Sequence, residues 1–186
     1  MSAYRVASRY AKSLLELAEA KGITEQVRED MNRLVLLNET DAEFATLIKS
    51  PIVSSEKKLE VLKSLFKTGS SELTLSFLEL VSHKGREAFL PLMAKEFLKQ
   101  YNVHEGIQSA EVVTTVPLSD KLRAEFSKIV KEISGKDKVE LDEKVDKDLI
   151  GGFVLKIEDR QLDESLKSKL RALHLDFTQN LYEKKF

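Results

Sequence analysis

The chain has no cysteine, so disulfides and thiolate metal sites are excluded and the composition fits a reducing compartment. No apolar run approaches the roughly 20 residues needed to span a bilayer. The opening segment, MSAYRVASRYAKSLLELAEA, has no uncharged signal-peptide core, because Arg5, Arg9 and Lys12 interrupt it. An excess of one charge sign is also missing: there are 30 basic and 31 acidic residues, divided 15 to 15 over residues 1–105 and 15 to 16 over 106–186. Neither half is a basic body, so net charge gives no support to a nucleic-acid partner. Together these absences predict a soluble cytoplasmic protein that can still dock on a membrane complex.

Catalytic and ligand-binding signatures are sparse too. The three histidines, His83, His104 and His174, have no partner at metal-ligand spacing and read as ordinary surface or helix-end residues. The acidic segment with Asp142, Glu143, Asp146 and Asp148 lacks the sixth-position glycine and twelfth-position glutamate of a calcium loop; Lys147 and Phe153 stand there. It reads as a solvated connector. Gly151 and Gly152 are followed by Phe153 and a strand, not by the lysine and hydroxyl of a phosphate loop or the third glycine of a dinucleotide fold. A strand glycine more often marks a bulge or a close backbone approach. No nucleophile–base arrangement or paired carboxylates can be assembled locally. No cofactor, no metal and no catalytic residue are expected.

What is present is helical periodicity followed by a change of period. Residues 4–20 carry an apolar stripe, Val6, Ala7, Tyr10, Ala11, Leu14, Leu15 and Ala18, ended by Gly22. Thr24 can cap a second helix with Val27, Met31, Leu34 and Val35 inward. Thr40 with Glu43 has capping-box spacing for a third over 41–49. Ser54 or Ser55 opens a fourth, with Leu59, Leu62, Leu65 and Phe66 on its inner face. Ser70 or Ser71 opens a fifth, with Leu73, Phe77, Leu78 and Val81. A sixth begins near Glu87, with Leu90, Met93, Phe97, Leu98 and Tyr101. Pro91 falls in its first turn, where a missing amide hydrogen costs little. Every glycine before residue 100 lies between these helices, which predicts a compact all-α bundle of about six short helices.

From Gly106 the period becomes that of a strand. Residues 107–116, IQSAEVVTTV, are rich in β-branched side chains, and Pro117 ends them. Ser119 caps a helix with Leu122, Phe126, Ile129, Val130 and Ile133 inward. Val139 and Leu141 suggest a second strand. The stretch 148–170 holds a buried strand, with Phe153, Leu155 and Ile157 on one face, a charged turn and a short return strand at Leu162. Asp163 offers a cap to a terminal helix, on which Leu166, Leu170, Leu173, Phe177 and Leu181 fall at three- and four-residue intervals. This stretch reads as the nucleus of a small α/β domain. The expected fold is therefore mainly α and two-domain: a six-helix bundle over 1–105, then an α/β domain over 106–186.

The helix faces carry more functional information than any polar cluster. A bundle of short helices has little interior, and an apolar groove left between two of them suits a partner's amphipathic helix. The first helix is a candidate because Tyr10, Ala11 and Leu14 mix small and large side chains; the same residues would also serve as core.

Three stretches taken together resemble one family. ASRYAKSLLELA (7–18) and DLIGGFVLKIEDRQLDESLKSKLRAL (148–173) resemble the two signature ends of the delta subunit of bacterial F-type ATP synthase, whose mitochondrial equivalent is the oligomycin-sensitivity-conferring protein. SHKGREAFLPLMAKEF (82–97) is similar to the family's glycine-arginine turn between its fifth and sixth helices. Departures fall at Ser13, at Glu158 and at Asp163-Glu164-Ser165. The resemblance implies a non-catalytic stator subunit that joins the catalytic head to the peripheral stalk. Its N-terminal domain would grip the N-terminal helices of the alpha subunits, and its C-terminal domain the far ends of the stalk b subunits. It would lie at the cytoplasmic face of the cell inner membrane, held there only through the complex, with no homo-oligomer. The implied gripping surface is Tyr10, Ala11, Ser13, Leu14 and Leu17 on the first helix and Phe77, Leu80 and Val81 on the fifth. The terminal helix around Leu173 and Phe177 is the expected seat for b, although the resemblance does not itself pick out a face. A helix-binding adaptor or regulator of another cytoplasmic assembly is the alternative that shares this groove.

Overall fold

The computed structural model describes residues 3–67 and 69–178. The chain divides into two compact units between His104 and Glu105, beside the glycine where the sequence changes period. Among the described residues it is mostly helical, with eight α-helices and a small four-stranded mixed sheet.

The first unit contains α1 (Ala3–Ala20), α2 (Thr24–Thr40), α3 (Ala42–Lys49), α4 (Ser55–Phe66), α5 (Glu72–His83) and α6 (Leu90–His104). A single 3-10 turn, Glu87–Phe89, precedes α6, so the sixth helix proper starts three residues later than the periodicity implies. Helix α6 packs on both α1 and α2, and α4 packs on α5. Val27, Met31, Leu34, Leu62, Phe66, Leu78, Met93 and Phe97 are fully buried between them. That apolar burial is what holds helices this short, since a helix of 8–18 residues is marginal alone.

The helix starts differ in detail from expectation. Asp41, not Thr40, caps α3: its carboxylate accepts from the backbone N–H groups of Glu43 and Phe44 at 2.9 and 3.0 Å. Thr40 instead closes α2, its hydroxyl donating to the Leu36 carbonyl. Thr24 is already helical, and Ile23 stands in the cap position without a side-chain bond. Ser54 holds the α4 cap position but makes no capping bond. Ser71 caps α5, accepting from the Thr74 N–H.

The second unit runs β1 (Ile107–Thr114), α7 (Asp120–Ser134), β2 (Lys138–Val145), β3 (Phe153–Ile157), β4 (Arg160–Asp163) and α8 (Leu166–Thr178). Strand order is β2-β1-β3-β4, with β1 parallel to β2 and the other pairs antiparallel. The centre of this unit is thus shared by β1 and β3, not carried by 148–170 alone. Ala110, Val112, Phe126, Val130, Leu155 and Ile157 form its core where α7 covers the sheet. Phe126 meets Phe153 edge-on at 4.9 Å. Ser119 caps α7 as expected. Leu122 and Ile133 are exposed, however, because only the Phe126–Val130 row of α7 reaches the sheet.

Strand β2 extends through Asp142 and Glu143, which the sequence places in a connector. Its parallel pairing with β1 continues to Val145, and Glu143 is engaged by Arg123 of α7 at 2.5 Å. Asp163 ends β4 and is not the α8 cap. Its carboxylate accepts from the Ser165 N–H, and Ser165 in turn accepts from the Ser168 N–H. Gly152 makes the expected close approach: at φ +78°, a Cβ there would lie 2.2 Å from the Glu164 carbonyl oxygen. The α8 residues Leu166, Leu170, Leu173 and Phe177 are all exposed. Leu181, expected on the same stripe, lies outside the described residues.

Candidate functional site

The candidate site is an apolar cleft of about 470 Å³ between α1 and α5. Helix periodicity builds it. On α1 the buried face is Ala7, Ala11, Leu14 and Ala18, at four- and three-residue steps. Small alanines there allow close packing, and Tyr10, Ser13 and Leu17 fall beside that face rather than within it. On α5 the steps Leu73, Phe77, Leu80 and Lys84 form the facing wall.

Six of the eight residues expected on the gripping surface line this cleft: Tyr10, Ser13, Leu14, Leu17, Phe77 and Leu80. Leu17 and Leu80 leave 52% and 50% of their surface exposed and so put apolar surface in the cleft walls. Ala11 and Val81 do not line it. Each is 0% exposed and belongs to the core, because each sits a further helical step toward the interior. Arg9, Leu73, Ser76 and Lys84 line the cleft without having been expected there. Their signal was available: Arg9, Ser13 and Leu17 are spaced by four, as are Leu73, Phe77 and, from Leu80, Lys84.

Tyr10 is held by two neighbours in the cleft. Its ring meets Phe77 edge-on at 6.3 Å between centroids. Arg86 donates from Nη1 to the Tyr10 hydroxyl at 2.9 Å, and its guanidinium also lies over the ring at 5.6 Å. Gly85, at φ +61°, turns the chain after α5 so that Arg86 can reach back. The far end of α5 is held as firmly. Asp30 of α2, itself buried, accepts from the Ser71 N–H at 3.0 Å and from the Thr74 hydroxyl at 2.6 Å. Both ends of α5 are therefore pinned, which presents the cleft as a preformed surface.

A second exposed apolar surface is α8, where Leu170, Leu173, Leu175 and Phe177 reach solvent, Phe177 to 79%. Among the described residues many of the charged groups elsewhere make ion pairs. Glu111 of β1 receives both Lys144 and Lys156, and hydrogen bonds from those lysines hold its carboxyl below the usual glutamate range. His104 meets Glu19 at 2.6 Å on the surface. Among the described residues no group of histidine and carboxylate side chains is placed to hold a metal ion, and no helix is long and apolar enough to cross a membrane.

Comparison with known proteins gives the family. Residues 6–177 match the family described as ATP synthase delta (OSCP) subunit. The ATP synthase subunit delta of Cytophaga hutchinsonii is 39% identical over 97% of this chain and 98% of its own length. That of Christiangramia forsetii is 34% identical over the whole of both chains. Among solved structures, a chain of the Toxoplasma gondii mitochondrial ATP synthase hexamer shares the fold, with a TM-score of 0.72 at 21% identity, covering 94% of this chain and 98% of that one.

Proposed function

Since this chain belongs to the ATP synthase delta (OSCP) subunit family, we propose that its α1–α5 cleft grips the N-terminal helices of the synthase alpha subunits and that its second unit holds the ends of the stalk b subunits. The protein is a non-catalytic subunit of the ATP synthase, serving in the peripheral stalk as part of the stator. It keeps the catalytic head from turning with the rotor, so that ion-driven rotation is coupled to ATP synthesis.

The observation that carries the alpha-subunit reading is the preformed apolar cleft, with Leu17 and Leu80 half-exposed in its walls. An amphipathic helix laid into it would bury both. A stator must resist torque, so it needs slow dissociation and no chemistry. A nanomolar grip corresponds to about 12 kcal/mol, which apolar contacts at two separate places on one chain can supply. For b, the exposed leucines and Phe177 of α8 are the favoured contact. We place the subunit at the cytoplasmic face of the inner membrane, associated only through the complex. The six helices of the first unit, α1 to α6, act in this reading as one bundle that presents the cleft.

Calorimetric titration of the full chain with a synthetic peptide of the cognate alpha N-terminal helix tests this. Leu17→Asp places a charge in the cleft wall at an exposed position, so the fold should survive. Binding should weaken by about a hundredfold or more, with the far-ultraviolet circular dichroism unchanged. Unaltered affinity in that variant would remove the cleft from the alpha interface.

A further inference from the structure

We propose that the cleft also fixes the direction of its occupant: a carboxylate side chain near one end of the bound amphipathic helix seats between Arg9 and Lys84, and apolar side chains fill the cleft toward Leu17 and Leu73. The inference rests on the reading of the cleft as a helix seat and adds to it a chemical requirement on the partner.

Arg9 and Lys84 are both exposed and both line the cleft, and no acidic side chain lines it. Two neighbouring carboxylates on these helices already face lysines. Glu16 faces Lys12 at 3.9 Å. Glu79 faces Lys63 at 2.5 Å, and the hydrogen bond from Lys63 holds its carboxyl below the ordinary glutamate value. Among the described residues, neither Arg9 nor Lys84 has an ion-pair partner.

Tyr10 places the two cations at the same end. It follows Arg9 in the chain, lies against Phe77, and accepts a hydrogen bond from Arg86, two residues beyond Lys84. Tyr10 therefore reaches from the middle of α5 to the turn that follows it. Along their own helices the rows Arg9 to Leu17 and Lys84 to Leu73 extend for about 12 and 17 Å at the helical rise. That length is two to three turns of a docked helix. The Arg86 charge, fixed over the Tyr10 ring, adds to the same end.

An apolar trough alone accepts a helix in either sense. A positive end breaks that symmetry, because the reversed helix leaves its carboxylate against leucine and the two cations unanswered. For a subunit gripping a segment that continues into a larger body, one permitted direction decides where that body sits.

The test uses the full chain with two peptides: the cognate alpha N-terminal helix, and the same helix with every Asp and Glu replaced by Asn and Gln. Arg9→Gln with Lys84→Gln should weaken the native peptide about three- to tenfold, and the neutral peptide less than twofold. A nitroxide on the acidic end of the native peptide should broaden the amide signals of Arg9 and Lys84 more strongly than those of Leu17 and Leu73. One on the other end should do the reverse. Equal losses for both peptides, a reversed or uniform broadening pattern, or a native peptide with no acidic residue would overturn the proposal, while sensitivity to Leu17→Asp would leave the helix seat standing. If the unaltered chain bound neither peptide, the helix seat itself would fall, and the directional reading with it.

Discussion

Gly151 and Gly152 are adjacent and do different work. Gly152 adopts φ +78°, and a Cβ there would meet backbone, the Glu164 carbonyl oxygen at 2.2 Å. Backbone cannot step aside, because the Glu164 N–H is bonded to the Phe153 carbonyl and the Leu166 N–H to the Gly151 carbonyl. At Gly151 the obstruction is the side-chain tip of Leu166 at 2.8 Å, on a residue that is exposed and able to move. Gly152→Ala should therefore cost about 3 kcal/mol, combining left-handed strain with a backbone clash, and Gly151→Ala markedly less. Urea unfolding of the two variants separates them, and equal losses would refute the assignment. The sequence left a bulge or a close backbone approach open for this pair, and Gly152 takes the second, in a bend ahead of β3 rather than within a strand. Tyr10 and Ala11 mark the limit of such reading. Both are apolar residues on one stripe, yet one lines the cleft and the other is core. A helical period gives a face to within a residue or so, whereas core and groove are separated by a single step around the helix.

At the scale of elements, apolar periodicity located the α-helices of the described residues except α3, which was placed by the Thr40–Glu43 spacing, and side-chain chemistry at the ends was harder to read. Thr40 and Asp41 are adjacent and both are good caps. Asp41 wins because its carboxylate reaches two free N–H groups, while Thr40 is still helical and returns its hydroxyl to Leu36. Asp41→Ala should lower stability by about 1 kcal/mol, and Thr40→Ala by less than about 0.5 kcal/mol, as read from chemical denaturation midpoints. The reverse order would restore the capping box that the sequence suggests. Strand β2 was legible only at Val139 and Leu141. Its remaining positions are mostly charged because it is an edge strand, and an edge strand tolerates charge where a central one does not. Its pairing is reinforced by side chains that a single strand cannot reveal, Lys144 to Glu111 on β1 and Glu143 to Arg123 on α7. Terminal helix α8 follows a good amphipathic pattern whose apolar residues stay exposed in the isolated chain. The pattern alone could not say whether that face meets its own domain or a partner.

For the molecule as a whole, the division between His104 and Glu105 has an energetic consequence. Each unit buries its own core: Leu62, Phe66, Leu78 and Phe97 in the first, Val112, Val130 and Leu155 in the second. Cooperative unfolding follows shared buried surface, so two cores in two units predict two transitions rather than one. Leu62 and Leu155 are 0% and 1% exposed, and truncating either should cost about 2–5 kcal/mol within its own unit. In calorimetry of the full chain, Leu62→Ala should lower one transition and leave the other in place, and Leu155→Ala should do the opposite. If both variants shifted a single transition, the two cores would be coupled, and each grip would then depend on the stability of the other. Two separate transitions fit the mechanical role better. If each unit grips its own partner, as proposed above, strain that opens one module leaves the fold of the other intact.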